Sequence, residues 1–292
     1  MRSFRSLLIL LTFISFFVAV ALWLVLFIHS IEKPLEVVFL DVGQGDAIFI
    51  ETPKGEEILI DGGRDNSVLR GLSQVMPFWD RSIDLVIATH PDADHIGGIV
   101  DVLRRYKVKA ILDTEVENDT PAFISYSQEV QKEKARSIDP VRGSQLFFDN
   151  VVLTILSKES SVTSDPNDAS IIVRLDYGET SFLLTGDADK KTERELLGFY
   201  DALEADVLKV GHHGSSTSTA SEFVSAVSPE FAVISVGEDN SYGHPTDEVL
   251  NTLEKQEVEI LRTDEDGMIR FESNGDILVQ KDPGFFQKLI GI

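Results

Sequence analysis

Thr89-His90-Pro91-Asp92-Ala93-Asp94-His95-Ile96-Gly97-Gly98 is the stretch on which the fold turns. It leaves an apolar run, Asp84–Thr89, that reads as a short buried strand. It enters Ile96–Tyr106, whose apolar spacing is helical. Four candidate metal ligands, His90, Asp92, Asp94 and His95, sit on this one connection. In extended backbone His90 and Asp92 share a side, and Asp94 and His95, at a helix start, aim at a neighbouring point. One loop can therefore serve two metals a few ångströms apart. Gly97 and Gly98 let the helix start lie close against the sheet. Helix capping accounts for one Asp, not for two Asp and two His at the exit of a buried strand.

The chain has six histidines and no cysteine. Besides His90 and His95, His212 and His213 follow the strand-like run ending at Val210, and His244 sits in Ser241-Tyr242-Gly243-His244-Pro245-Thr246 after another. Asp187 ends a third such run in LLTGDAD (183–189). Asp61 stands at the middle of LIDGG (59–63), as a turn residue or as a carboxylate that supports a ligand. A dinuclear metal site at one edge of a sheet sandwich accounts for all of these together. Without cysteine there is no disulfide scaffold, iron–sulfur cluster or thiol nucleophile. With no GxSxG elbow either, metal-activated water is the natural nucleophile for a hydrolase.

Strand-like runs come consecutively at both ends of the chain, with strand–helix–strand units between them. Leu35–Val42, Ala47–Glu51 and Glu57–Ile60 form the first series, with Lys54-Gly55 as a hairpin turn. Pro121–Lys134, Lys190–Tyr200, Ala220–Val227 and Thr246–Lys255 read as helices. Glu257–Leu261, Met268–Glu272 and Asp276–Gln280 close with strands. Two mixed sheets covered by helices on their outer faces satisfy this order. Ser157–Asp168 reads as a polar loop.

Leu7–Ile28 carries no charge and predicts a transmembrane helix. It is longer than a signal-peptide core and lacks a small-x-small cleavage site. Arg2 and Arg5 precede it, which places the N-terminus in the cytoplasm and the rest outside. The expected organisation is an anchor over residues 1–30 and one hydrolase domain over 31–292, single-pass in the cell membrane, with its C-terminal domain extracytoplasmic. The 292 residues hold 49 Asp+Glu against 26 Lys+Arg, a net charge of -23. That excludes a protein tracking nucleic acid along an extended basic groove. Arg104, Arg105, Lys107 and Lys109 are the one dense basic cluster, either a guide for a strand or a solvated helix face.

FLDVGQGDA (39–47), LIDGG, THPDADHIGG, LLTGDAD, LKVGHHGSSTS (208–218) and SYGHPT, in this order, resemble the C-terminal hydrolase domain of the ComEC competence proteins, within the metallo-β-lactamase superfamily. Asp92 stands where the superfamily motif HxHxDH has its second His. The resemblance implies an αββα sandwich with the site at one edge of its two sheets. It implies that His90 and Asp92 bind one metal, Asp94 and His95 the other, and that Asp187 bridges. One of His212 and His213 completes the second metal site; His213 is favoured as ligand, with His212 a near neighbour. His244 faces the scissile group as a phosphate contact or proton donor. A further superfamily His is missing: Pro166-Asn167-Asp168-Ala169-Ser170 offers Asn167 or Asp168 instead, or leaves that position open. So many oxygen donors favour Mn²⁺, with Zn²⁺ the alternative.

The resemblance implies a membrane-anchored phosphodiesterase, a nuclease acting on DNA, with His244 or His212 assisting the leaving oxygen. A single span leaves no room for a channel, so a separate protein would supply one. A lactonase or phosphoesterase acting on a small or cell-wall substrate is the alternative that the acidic surface favours. A fold keeping metal only for structure is the third.

Overall fold

Alternation along the first three strands decides what the sheet must be covered with. In β1 (Leu35–Phe39), β2 (Ile48–Glu51) and β3 (Glu57–Ile60), Val37, Phe39, Ile48, Ile50, Ile58 and Ile60 turn to one core. Val38, Phe49 and Leu59, between them, turn to another. Successive strand residues point to opposite faces, so both faces of this sheet are apolar and both need a layer against them.

The computed structural model describes residues 11–23, 33–114, 116, 118–157 and 166–281. By its contacts the chain divides into two units, Met1–Lys33 and Pro34–Ile292. In the first, residues 11–23 form a helix, α1, whose apolar side chains are exposed. In the second, β3 is followed by α2 (Ser67–Val75), β4 (Ser82–Ala88), α3 (Ala93–Arg105), β5 (Lys107–Asp113), α4 (Pro121–Glu133), β6 (Arg136–Ile138), β7 (Gln145–Phe148) and β8 (Val151–Ile155). Then come β9 (Val173–Tyr177), β10 (Thr180–Leu184), α5 (Lys190–Phe199), β11 (Val207–Lys209), α6 (Ser221–Val227), β12 (Phe231–Ile234), α7 (Asp247–Glu254), β13 (Glu259–Arg262), α8 (Thr263–Asp266), β14 (Ile269–Ser273) and β15 (Leu278–Lys281).

Eight strands form one sheet in the order β15-β14-β1-β2-β3-β4-β5-β6, and seven form the other in the order β13-β12-β11-β10-β9-β8-β7. Each is half antiparallel and half parallel. Strands β3 to β6 pair in parallel, as do β10 to β13, and the remaining neighbours pair antiparallel. Parallel neighbours need crossovers, and α2, α3 and α4 supply them in the first sheet, α5, α6 and α7 in the second. The helices pack on the outer faces: Leu72, Ile96, Ile99 and Leu103 against the first sheet, Leu196, Phe223, Val224 and Leu253 against the second. Between the sheets lies the central core, where Phe271 meets Phe39 on its own sheet at 6.2 Å and Phe182 and Phe231 across the interface at 5.8 and 5.4 Å. This is the αββα arrangement, with both sheets mixed.

The expected transmembrane helix is not upheld. No helix among the described residues is long and apolar enough to cross a membrane. The described helical residues, 11–23, account for about 20 Å at 1.5 Å per residue, against a hydrocarbon core of about 30 Å. Residues 7–10 and 24–28 of the expected span, and Arg2 and Arg5 before it, lie outside the described residues. So does most of the loop expected over 157–168.

Backbone fits against backbone where α3 begins. Gly62 donates to the His95 carbonyl at 2.7 Å, and Gly98 to the Gly63 carbonyl at 2.9 Å. A Cβ on Gly98 would lie 1.9 Å from the Gly62 oxygen, and one on Gly97 2.1 Å from the Arg64 oxygen. Close approach of helix to loop is thus what the Gly97-Gly98 pair provides. Gly98→Ala must push α3 off this loop, so a destabilisation of about 2–3 kcal/mol is expected from urea unfolding, as for other overpacked sites.

Candidate metal centre

The parallel halves of both sheets run their strands toward one edge. Asp61 follows β3, His90 follows β4, Asp187 follows β10, and His212 and His213 follow β11. The crevice beyond the carboxyl ends of parallel strands is where α/β sheets bind ligands.

Asp61 organises the first-sheet side. Its φ of 58° turns the carboxylate toward β4, and its amide donates to the Ile87 carbonyl at 2.8 Å. Oδ1 accepts the Thr89 amide at 2.8 Å, and Oδ2 accepts both the Thr89 hydroxyl and His95 Nδ1, each at 2.7 Å. With its proton committed to Asp61, the Thr89 hydroxyl accepts from His90 Nδ1 at 3.1 Å. On the other side His213 Nδ1 donates to the Ser235 carbonyl at 2.9 Å. Assigned from this network, all three imidazoles carry their proton on Nδ1 and keep a lone pair on Nε2.

Those lone pairs converge on Asp187. His95 Nε2 is 3.3 Å from Oδ1, and His213 Nε2 and His90 Nε2 are 3.4 and 3.9 Å from Oδ2. Asp94 Oδ2 lies 3.7 Å from His213 Nε2, and Asp92 Oδ2 3.8 Å from His90 Nε2. Asp92 occupies the N-cap position of α3, yet its side chain makes no capping hydrogen bond. The Asp187 amide donates to the Ser170 hydroxyl at 3.1 Å, which fixes where the carboxylate stands. His90–His95–Asp187 and Asp94–His95–His213 are each close enough to share an ion.

His212 and His213 are consecutive residues in the left-handed region, with φ of 48° and 53°. Such backbone costs about 1–2 kcal/mol per non-glycine residue, and it splits the pair. His213 is buried in the centre, whereas His212 stays partly exposed at the mouth, its Nε2 3.9 Å from Asp187. His244 stands beyond it, ring to ring with His212 at 5.8 Å and stacked on the exposed Tyr242. Asn240 holds this loop by hydrogen bonds to both the amide and the carbonyl of His244.

Burial pushes the His90 imidazole well below its usual range, and the neighbouring His95 adds to this. Burial acts the same way on His95 and His213, but Asp187, with Asp61 and Asp46 respectively, outweighs it and the net shift is upward. Burial works to raise Asp187, and His213, His95 and Lys209 together hold it well below the carboxylate range instead. His244 is pushed down by burial and by its histidine neighbours.

The donors fit divalent cations. His90 Nε2, His95 Nε2, His213 Nε2 and Asp187 Oδ1 are buried with no hydrogen-bond partner. Four orphaned acceptors facing one point are costly unless a cation satisfies them. A metal would bind by displacing the protons that Asp187 favours on His95 and His213, which leaves neutral imidazoles and ionised carboxylates as ligands.

Three contributors escape a reading of spacing alone: Asp46, Lys209 and Arg64. Asp46 is buried behind His213, with Oδ1 3.4 Å from its Nδ1. Lys209 pairs with Asp46. Arg64 stands at the mouth, 3.9 Å from Asp94 Oδ2 and donating to the Tyr242 hydroxyl at 3.3 Å. Of the two residues offered in place of the missing His, Asp168 pairs with Lys191 at 2.8 Å. The basic cluster begins at the far end of α3, about 15 Å along the helix from His95, and continues into β5. There Arg104 pairs with Glu129 and Lys109 with Asp84, so this is a solvated face and not a guide to the centre.

Asp187→Asn removes the carboxylate charge that all three Nε2 atoms face, and metal per chain after dialysis against Mn²⁺ should fall to background by elemental analysis. Asp61→Ala loosens the imidazoles without removing a ligand and should weaken metal binding about 10–100-fold. Glu193 on α5 supplies a pH test. It accepts the amides of Thr219 and Ala220 at 2.6 and 2.8 Å and so ties α5 to the loop after His213. Burial, opposed by those two amides, raises it from 4.5 to about 7. A raised carboxyl contributes stability below its unfolded value and loses it as pH rises through about 7. Unfolding midpoints in urea should therefore drop between about pH 5 and about pH 8, and Glu193→Gln should flatten the drop.

Among solved structures, the fold is similar to YhfI of Bacillus subtilis, with a TM-score of 0.53 at 15% identity over 79% of this chain and 96% of that one. It is also similar to Igni18, a metallo hydrolase of Ignicoccus hospitalis, with a TM-score of 0.51 at 16% identity over 81% and 99%. In sequence the chain is 32% identical over 253 residues to ComE operon protein 3 of Bacillus subtilis, covering 81% of this chain and 33% of that protein. It is 33% identical over 267 residues to Recombination protein 2 of Haemophilus influenzae, covering 88% and 31%. Competence protein ComA of Neisseria gonorrhoeae is 31% identical over 245 residues, covering 82% and 32%. The chain thus spans about a third of the length of the curated relatives it matches. Residues 40–238, which carry His90, His95, Asp187 and His213, match the family model for the metallo-β-lactamase superfamily, and the chain belongs to that superfamily.

Proposed function

We propose that this chain is a phosphodiesterase that uses two divalent metal ions, Mn²⁺ by preference, and that DNA is its substrate. The carrying observation is the set of four orphaned buried donor atoms on His90, His95, His213 and Asp187, with the carboxylates of Asp92 and Asp94 alongside. Such an oxygen-rich set suits Mn²⁺ better than an all-imidazole one does. The relatives named for competence and recombination support DNA as the substrate.

Divalent ions so held would neutralise charge on a phosphoryl oxygen and make water a nucleophile near neutral pH. The chain's own residues supply the rest. Asp61 and Thr89 keep His95 and His90 in the binding tautomer. His244, whose imidazole is pushed down by burial, flanks the opening beside His212 and would contact the phosphate or leaving oxygen there. His212 flanks the same opening and can take or give a proton there. Arg64 puts a positive charge at the rim of an otherwise acidic molecule.

The acidic surface, with the basic cluster paired off at the far end of α3, favours a second reading, a lactonase or a phosphoesterase for small substrates. Mn²⁺-loaded protein given single-stranded DNA, double-stranded DNA, a bis-aryl phosphodiester and a lactone separates the two. DNA and the phosphodiester should be cleaved. Asp187→Asn should abolish turnover, and His244→Ala should lower kcat about 10²–10⁴-fold while metal content stays at the wild-type level. Hydrolysis of the lactone alone would overturn the phosphodiesterase reading.

A further inference from the structure

Lys209 lies where a core residue belongs. Val207, two positions before it on β11, packs between the sheets, so Lys209 points the same way, and it is fully buried. Its ammonium contacts Asp46 Oδ2, donates to the Gly186 carbonyl at 2.8 Å, and stands 3.7 Å from Asp187 Oδ1. Asp46 is as deeply buried. Its backbone is held at both ends, by its amide on the Asp94 carbonyl at 3.3 Å and by its own carbonyl accepting Gly63 at 2.7 Å. Asp46 is near enough to Asp187 and His213 to share an ion with them. Nothing in the proposed reaction uses either residue.

A buried carboxylate must be paired, coordinated or protonated. Here the pairing is internal. We propose that Lys209 is a built-in counter-cation that holds Asp46 out of metal coordination, so that the centre persists without metal and binds metal only as tightly as exchange allows. The inference rests on the reading of the centre as a divalent-metal site. It follows from two electrostatic relations. Without metal, the ammonium stands between the carboxylates of Asp46 and Asp187 and offsets their charge. With metal, the same ammonium repels an ion bound to Asp187 and holds the Asp46 carboxylate to itself through Oδ2.

Replacing Lys209 therefore moves two quantities in opposite directions, which a lysine of merely structural value would not do. The experiment uses the full chain stripped by chelator, Mn²⁺ titration by calorimetry, and thermal unfolding with and without Mn²⁺. Lys209→Met should unfold at lower temperature when metal-free, yet bind Mn²⁺ at least about tenfold more tightly. Asp46→Asn, which leaves the ammonium unpaired beside the centre, should bind Mn²⁺ more weakly than wild type. The double variant Asp46→Asn/Lys209→Met, a neutral pair, should recover metal-free stability and lose the gain in affinity. Should Lys209→Met fail to fold, Asp46→Asn and the double variant still decide. Weaker Mn²⁺ binding by Lys209→Met, or unchanged or tighter binding by Asp46→Asn, overturns the proposal. Wild-type protein that binds neither Mn²⁺ nor Zn²⁺ overturns the metal reading itself, and this proposal with it.

Discussion

The carboxylate of Asp61 is the joint between architecture and chemistry. It spans from the end of β3 to the end of β4, accepts an amide, a hydroxyl and an imidazole, and thereby sets which nitrogen of His95 and, through Thr89, of His90 faces the crevice. The second sheet repeats the arrangement with different chemistry, where a main-chain carbonyl of Ser235 fixes His213. Orientation of the ligand rings is thus delegated to groups that need no metal. A preorganised centre of this kind binds with little loss of side-chain freedom.

Acidity takes on two meanings in this chain. On the surface it is solvated charge, much of it paired locally, as Asp84 is with Lys109 and Glu129 with Arg104. In the crevice it is concentrated and buried, on Asp46, Asp61 and Asp187. Such a cluster is tolerable only with compensating cations, and the molecule supplies Lys209 from within and space for divalent ions from without. The net charge of -23 therefore describes a surface and a centre that obey different rules.

Much of this was legible in the order of residues. Short apolar runs followed by His or Asp marked the strand ends, because imidazoles and carboxylates seldom exit a buried strand without a partner. Short elements were not legible. Helix α2 has only nine residues, buries just Val68, Gly71 and Leu72, and has no side-chain cap to mark its start. Strand β6 is only Arg-Ser-Ile at a sheet edge. Strand β7 could have been found from Asp149-Asn150 between two apolar runs, a two-residue hairpin with Phe148 paired to Val151. At the centre, Asp46 hides in a glycine-rich turn and Lys209 hides in a strand, where a lysine is ordinarily read as a surface residue. Only its alternation with Val207 points inward. The membrane span was read from hydropathy and flanking charge, and no helix among the described residues is long and apolar enough to cross a membrane.

The half-parallel construction of both sheets has a kinetic corollary. Crossovers of both sheets deliver side chains to the crevice, and the contributors run from Asp46 through Asp61, His90 and Asp187 to His213, joined by long connections. Closing such distances is the slow part of folding, because chain entropy is lost before the distant contacts reward it. Neither sheet alone brings these residues together. Uptake of an ion would then mark the last event of assembly, and the rate at which metal is captured during refolding would clock the docking of one sheet on the other.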